Sequence, residues 1–155
     1  MSTRSVVARQ RGDGFKGRYI HLDGYPSGVG ARLYELCNTL GAEQTLKVLT
    51  EDHYGWSSIH QSDQLNSGYH DARFELVDGI GIAYTTLDSL ISPDEWIMSD
   101  GDDWGTEYAY AIAPDVGTMS VFARHEESWR LLAVVRLDQP EPDWSEIASR
   151  EEALA

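Results

Sequence analysis

The sequence predicts an α+β fold: an antiparallel β-sheet of about five to seven strands, with about two to three helices packed mainly on one face. Three observations carry this reading. Short apolar or alternating runs recur along the chain, punctuated by Gly12-Asp13-Gly14, Asp78-Gly79 and Pro114-Asp115-Val116-Gly117, all of hairpin-loop length. One stretch, Ser27 to Leu40, instead repeats its apolar residues at helical spacing. The last three strand-like runs are joined by loops too short for a crossover, so they read as an antiparallel meander.

The elements follow in chain order. Ser5 to Arg9 and Phe15 to Leu22 read as two strands joined through Gly12-Asp13-Gly14. Ser27 is placed to cap a helix running to Leu40, with Val29, Leu33, Leu36, Cys37 and Leu40 on its buried face and Gly41 as its stop. Glu43 to Thr50 reads as a second, shorter helix with Leu46 and Leu49 inward. His53 to Asp71 is polar, without a convincing period, and reads as a long loop. Phe74 to Val77 and Gly81 to Thr85 form a further hairpin about Asp78-Gly79. Glu107 to Ala113, Thr118 to Arg124 and Trp129 to Leu137 make the meander, the last nearly continuous in apolar residues, as expected of an inner strand. Pro140 and Pro142 break the chain, and Asp143 with Glu146 offers a capping box for a terminal helix. The layout is a single domain over residues 1–155: hairpin and helices in 1–52, an irregular segment in 53–73, antiparallel strands in 74–138 and a C-terminal helix in 142–155.

Charge is the strongest global signal. The formal net charge is −14, which argues against general nucleic-acid binding because a phosphate backbone is repelled. Residues 1–18 nevertheless hold Arg4, Arg9, Arg11, Lys16 and Arg18 against Asp13 alone, a net of +4, so the rest of the chain carries −18. From Asp88 to Glu107 there are seven acids and no Lys or Arg. Arg outnumbers Lys ten to two, which fits a GC-rich coding background. The only cysteine, Cys37, permits no intramolecular disulfide. Neither a signal-like segment nor an apolar run of membrane-spanning length is present, so the expected location is the cytoplasm.

Ser2-Thr3-Arg4-Ser5, the short hairpin and then Asp23-Gly24-Tyr25-Pro26-Ser27-Gly28 resemble a group of small phage and prokaryotic proteins. Their signature is an N-terminal T-R-S followed by D-G-Y-P at a glycine-rich helix start, and Glu107-Tyr108-Ala109-Tyr110 is similar to their later aromatic strand. The match covers residues 2 to about 36, with Leu22 where many members carry an aromatic. The resemblance implies a phage-type context and supplies no catalytic residues.

Among constellations that carry chemistry, the Asp23–Gly30 loop is the first candidate. A strand feeding a glycine-rich helix start can bind an anion through backbone N–H groups. A nucleotide-like ligand there would meet Arg18, His21, Tyr25, Ser27, Gly28, Gly30 and Arg32. Asp23 opposes an anion, and the spacing matches neither a dinucleotide fingerprint nor a P-loop. Asp100, Asp102 and Gly105 begin an EF-hand pattern, but Trp104 and Ala111 stand where ligands are needed. His53, His60 and His70 have no zinc spacing, so no metal and no cofactor is expected. For nucleophilic catalysis there is no G-x-S-x-G; Cys37 falls on a buried helix face, Ser2 as an N-terminal nucleophile lacks a visible partner, and His21 with Asp23 makes a strand pair two residues apart.

Acidic and aromatic residues coincide at Asp94, Trp96, Asp100, Asp102, Asp103 and Trp104, a composition suited to anchoring a protein with a basic surface. The leading expectation is therefore a non-enzymatic, phage-type accessory protein that binds a host macromolecule, as a host-takeover or anti-defence inhibitor. The alternative is a protein that binds or sequesters a small ligand, such as a nucleotide, through the Asp23–Gly30 loop. Neither reading involves direct nucleic-acid or membrane binding.

Overall fold

The structure, a computed structural model, describes residues 3–60, 72–86, 89–91, 105–126 and 128–154. Its centre is a mixed β-sheet with nine described strands: β1 (Ser5–Arg11), β2 (Gly14–Ile20), β3 (Trp56–Ser58), β4 (Phe74–Val77), β5 (Gly81–Tyr84), β6 (Leu90–Ile91), β7 (Tyr108–Ala113), β8 (Thr118–His125) and β9 (Ser128–Arg136). The spatial order is β4-β5-β3-β2-β1-β7-β8-β9, with β6 also paired to β2. The α+β class stands, but the wholly antiparallel sheet of five to seven strands does not. β1 runs parallel to β7, Ser5 opposite Tyr108, and β2 runs parallel to β3 through Ile20 and Trp56. Both parallel pairs join segments far apart in sequence, and local turn signals carry no information about such pairings.

The hairpins form where the turn residues indicate. β1 and β2 pair antiparallel from Ser5↔Ile20 to Arg11↔Gly14, closed by Gly12 at φ +58°. β4 and β5 close at Gly79, φ +78°, and β7, β8 and β9 form the antiparallel meander. Within the segment read as a loop, Trp56-Ser57-Ser58 is strand β3, fully buried at Trp56, whose indole N–H donates to the Leu49 carbonyl at 2.9 Å. The run Trp129 to Leu137 is not an inner strand. β9 ends the sheet order, and Leu131 and Val134 are each more than half exposed. Its inward residues Leu132 and Val135 instead join the core shared with the C-terminal helix, which accounts for the apolar run without a second neighbouring strand.

The helices are α1 (Ala31–Leu40), α2 (Ala42–Leu46) and α3 (Trp144–Ser149). A π-helical turn, Pro26–Gly30, leads into α1, a second one, Lys47–Glu51, follows α2, and a 3₁₀ turn, Arg150–Leu154, follows α3. Ser27 does not cap α1. It lies inside the π turn, whose preceding residue is Tyr25, and no side chain caps it; the fixed φ of Pro26 starts the turn instead. Gly41 stops α1 as expected, at φ +88°, its N–H donating to the Cys37 carbonyl at 3.0 Å. Leu40, assigned to the buried face, is 39% exposed, because the chain leaves the helix there. Asp143 caps α3, accepting from the N–H groups of Ser145 and Glu146; Glu146 pairs with Arg150 rather than completing the box.

Leu33, Leu36, Leu46, Leu49, Trp144 and Ile147 of the helical segments pack in one cluster with Val7, Ile20, Trp56, Tyr110, Ile112 and Val121 of the sheet. On the opposite face, Val6, Ala8, Phe15, Tyr19, Ala109 and Ala111 form a smaller cluster. Alternation along β1, β2 and β7 sorts these two sets.

Candidate functional site

The signature residues near the N-terminus meet in space, although they are separated in sequence. Asp23 adopts φ +59°, and its carbonyl accepts the Val29 N–H at 2.8 Å. The Gly24 N–H donates to the Thr3 carbonyl at 2.8 Å, and the Gly24 carbonyl accepts from the buried Tyr110 hydroxyl at 2.6 Å. Thus the strand opening at Thr3, the Asp-Gly-Tyr-Pro turn and the aromatic strand β7 close on one another. The glycines are required by proximity. A Cβ at Gly28 would sit 2.2 Å from the Asp23 carbonyl oxygen, and one at Gly30 would press on the rings of Trp144 and Tyr110 at 3.1 Å.

This arrangement bears directly on whether the loop can hold an anion. The Gly28 N–H donates to the Tyr25 carbonyl at 2.9 Å and the Val29 N–H to Asp23, so two of the expected donors already serve the turn. Arg32 is 7% exposed, and its guanidinium donates to the carbonyls of Ile59, Gly79 and Ile80 and to the Glu35 carboxylate. It ties α1 to β3 and to the β4–β5 turn. Arg18 is directed elsewhere, donating to the Thr50 carbonyl at 3.1 Å and lying 5.9 Å from the Tyr54 ring centre. Tyr25 is exposed and donates to Asp23 Oδ1 at 3.2 Å; the neighbouring carboxylate raises its pKa.

Beside the turn runs an open groove of about 470 Å³ between Gly28, Ala31 and Tyr34 on one side and His60 and Glu141 on the other. His60 Nδ1 is 3.9 Å from Asp23 Oδ2, and Glu141 accepts the Trp144 indole N–H at 2.7 Å. His21, read as a partner for Asp23, instead shares a 2.6 Å hydrogen bond through Nδ1 with the Tyr19 hydroxyl. Burial pushes Tyr19 up to about 12, and burial with the nearby Arg4 charge lowers His21. Both groups are therefore neutral near pH 7.

Cys37 is buried and, mainly through desolvation, pushed up to about 11, a thiol rather than a thiolate at neutral pH. Among the described residues no group of three His, Cys, Asp or Glu side chains is placed to hold a metal, and no helix is long and apolar enough to cross a membrane. Ser2, His70 and the acidic–aromatic set Asp94, Trp96, Asp100, Asp102, Asp103 and Trp104 lie outside the described residues.

The flanks of that acidic set are described. Ile91 pairs with Gly17 of β2, and the Glu107 N–H donates to the Arg4 carbonyl at 2.8 Å. Both ends of the segment are therefore fixed to the β1–β2 part of the sheet. Two features of this region are not legible in the sequence. The Tyr110–Gly24 bond has no local signal, and the Asp23–His60 approach depends on β3, which the polar composition of its segment concealed. No family model matches this sequence, and neither the curated proteins nor the solved structures contain a significant match.

Proposed function

We propose that this chain is a phage-type accessory protein that acts by binding a host macromolecule, without catalysing a reaction on it. The contact surface is the acidic, aromatic segment around Asp94, Trp96, Asp100, Asp102, Asp103 and Trp104, and the partner presents a basic face. The observation that supports this reading is the charge layout. Seven acids without a single Lys or Arg fall between Asp88 and Glu107, in a chain of net charge −14. Elsewhere five cations pair with the chain's own acids: Arg9 with Glu43, Arg32 with Glu35, Lys47 with Asp52, Arg136 with Asp138 and Arg150 with Glu146. A long-range field of one sign accelerates encounter with a partner of the other, while aromatic residues supply contact area.

The test is affinity capture from host lysate with the wild type and with Asp100→Lys/Asp102→Lys/Asp103→Lys. A stoichiometric partner should be recovered by the wild type, weakened by salt and lost with the charge-reversed variant. Recovery of the same partner by that variant, or of none by the wild type, counts against the proposal.

A further inference from the structure

The geometry points to a second, oppositely charged site: the β1–β2 hairpin binds a small phosphate-bearing ligand between Arg9, Arg11 and Lys16. Arg9 lies directly across the ladder from Lys16, and Arg11 is two residues beyond Arg9. Strand alternation therefore puts all three side chains on one face, together with Arg18, two residues from Lys16. Four of the twelve cations in a chain of net charge −14 share one face of one hairpin. Like charges placed directly opposite each other on a ladder oppose its formation, so this placement does not serve the fold.

The neighbouring acids relieve only part of it. Arg9 donates to both Glu43 oxygens, at 3.1 and 2.5 Å, and lies 3.8 Å from Glu51. Arg18 bonds the Thr50 carbonyl. Arg11 and Lys16 are exposed, and neither forms an ion pair with another described residue. Both line a concavity of about 200 Å³ closed by Thr50, Glu51 and Leu90. That volume is below the roughly 300 Å³ at which drug-sized ligand sites begin, and suits a phosphate or diphosphate group rather than a whole nucleotide. The Arg11 fork and the Lys16 ammonium supply the two modes by which proteins hold phosphate oxygens. Among the described lining residues Glu51 is the one acid and Arg9, already bonded to Glu43, partly offsets it, which leaves the charges of Arg11 and Lys16 for a ligand.

The test is a titration of the full-length chain with inorganic pyrophosphate at low ionic strength, followed by amide chemical shifts. Saturable shifts are expected at Arg11, Lys16, Gly17 and Thr50, with apparent affinity reduced about tenfold or more in Arg11→Gln/Lys16→Gln. The double variant should unfold at the same or a higher urea concentration, because it relieves like-charge crowding. The inference is overturned if potassium chloride of matched ionic strength reproduces the shifts, if they do not saturate, or if the double variant binds as the wild type does. It is also overturned if a short single-stranded DNA binds these residues more tightly than pyrophosphate, which would make nucleic acid the ligand.

Discussion

Glycine closes two turns in this protein for different reasons. At Gly12, between β1 and β2, the backbone takes φ +58° and a Cβ would meet nothing within 4 Å. At Gly28, in the turn before α1, no positive φ is needed, yet a Cβ would be driven to 2.2 Å from the Asp23 carbonyl oxygen. The first turn needs a dihedral, and the second needs an absence of atoms. A dihedral requirement can be met by another residue at modest cost, but a backbone oxygen inside contact distance cannot move without opening the turn. The glycine-rich motif before α1 is thus a packing device, joining β1, β7 and α3 around Gly24, Gly28 and Gly30.

That contrast orders the expected losses. Gly28→Ala should be the most damaging, lowering stability by more than about 3 kcal/mol, since overpacking against backbone exceeds the usual range for cores. Urea unfolding should show a large fall in midpoint or loss of the cooperative transition; a midpoint within error of wild type would end the packing account. Tyr110→Phe should come next, at about 1–3 kcal/mol, because it leaves the buried Gly24 carbonyl without its donor. The same unfolding curves measure it.

Gly12→Ala should cost about 1 kcal/mol and Gly12→Asn less, as Asn tolerates the left-handed region. Equal damage from Ala at positions 12 and 28 would erase the distinction. The smallest effect concerns pH. Burial and Arg4 lower the pKa of His21, so folding favours the neutral ring. Its contribution is intact above the ordinary value of about 6.5 and is lost as the pH falls from there toward the folded value. Comparing urea midpoints at about pH 8 and about pH 5.5, the wild type should lose more stability than His21→Gln.

What could be read in the sequence was local. Gly12-Asp13-Gly14, Asp78-Gly79 and Asp143 act on their immediate neighbours, so two hairpins and a helix cap were legible. The β1–β7 and β2–β3 pairings join distant segments and leave no trace in turn chemistry. Three-residue β3 is too short to show a period, and the apolar run of β9 reflects packing on α3 rather than a central position. For the candidate sites, composition located the acidic segment and the excess of cations in residues 1–18. It did not reveal that Arg9 and Lys16 face each other, which depends on register. Nor did it reveal that Arg32, though near the glycine-rich turn, is directed at carbonyls beyond it.

The parallel pairing of β1 with β7 sets a constraint on how the chain reaches this state. Ser5 and Tyr108 are neighbours in the finished sheet, so the β1 edge facing away from β2 stays open until most of the chain has been made. Closing so long a loop slows folding, and a waiting, unpaired strand edge can recruit the wrong strand. Refolding of this protein should therefore be slower than its early hairpin suggests, with yield falling as chain concentration rises.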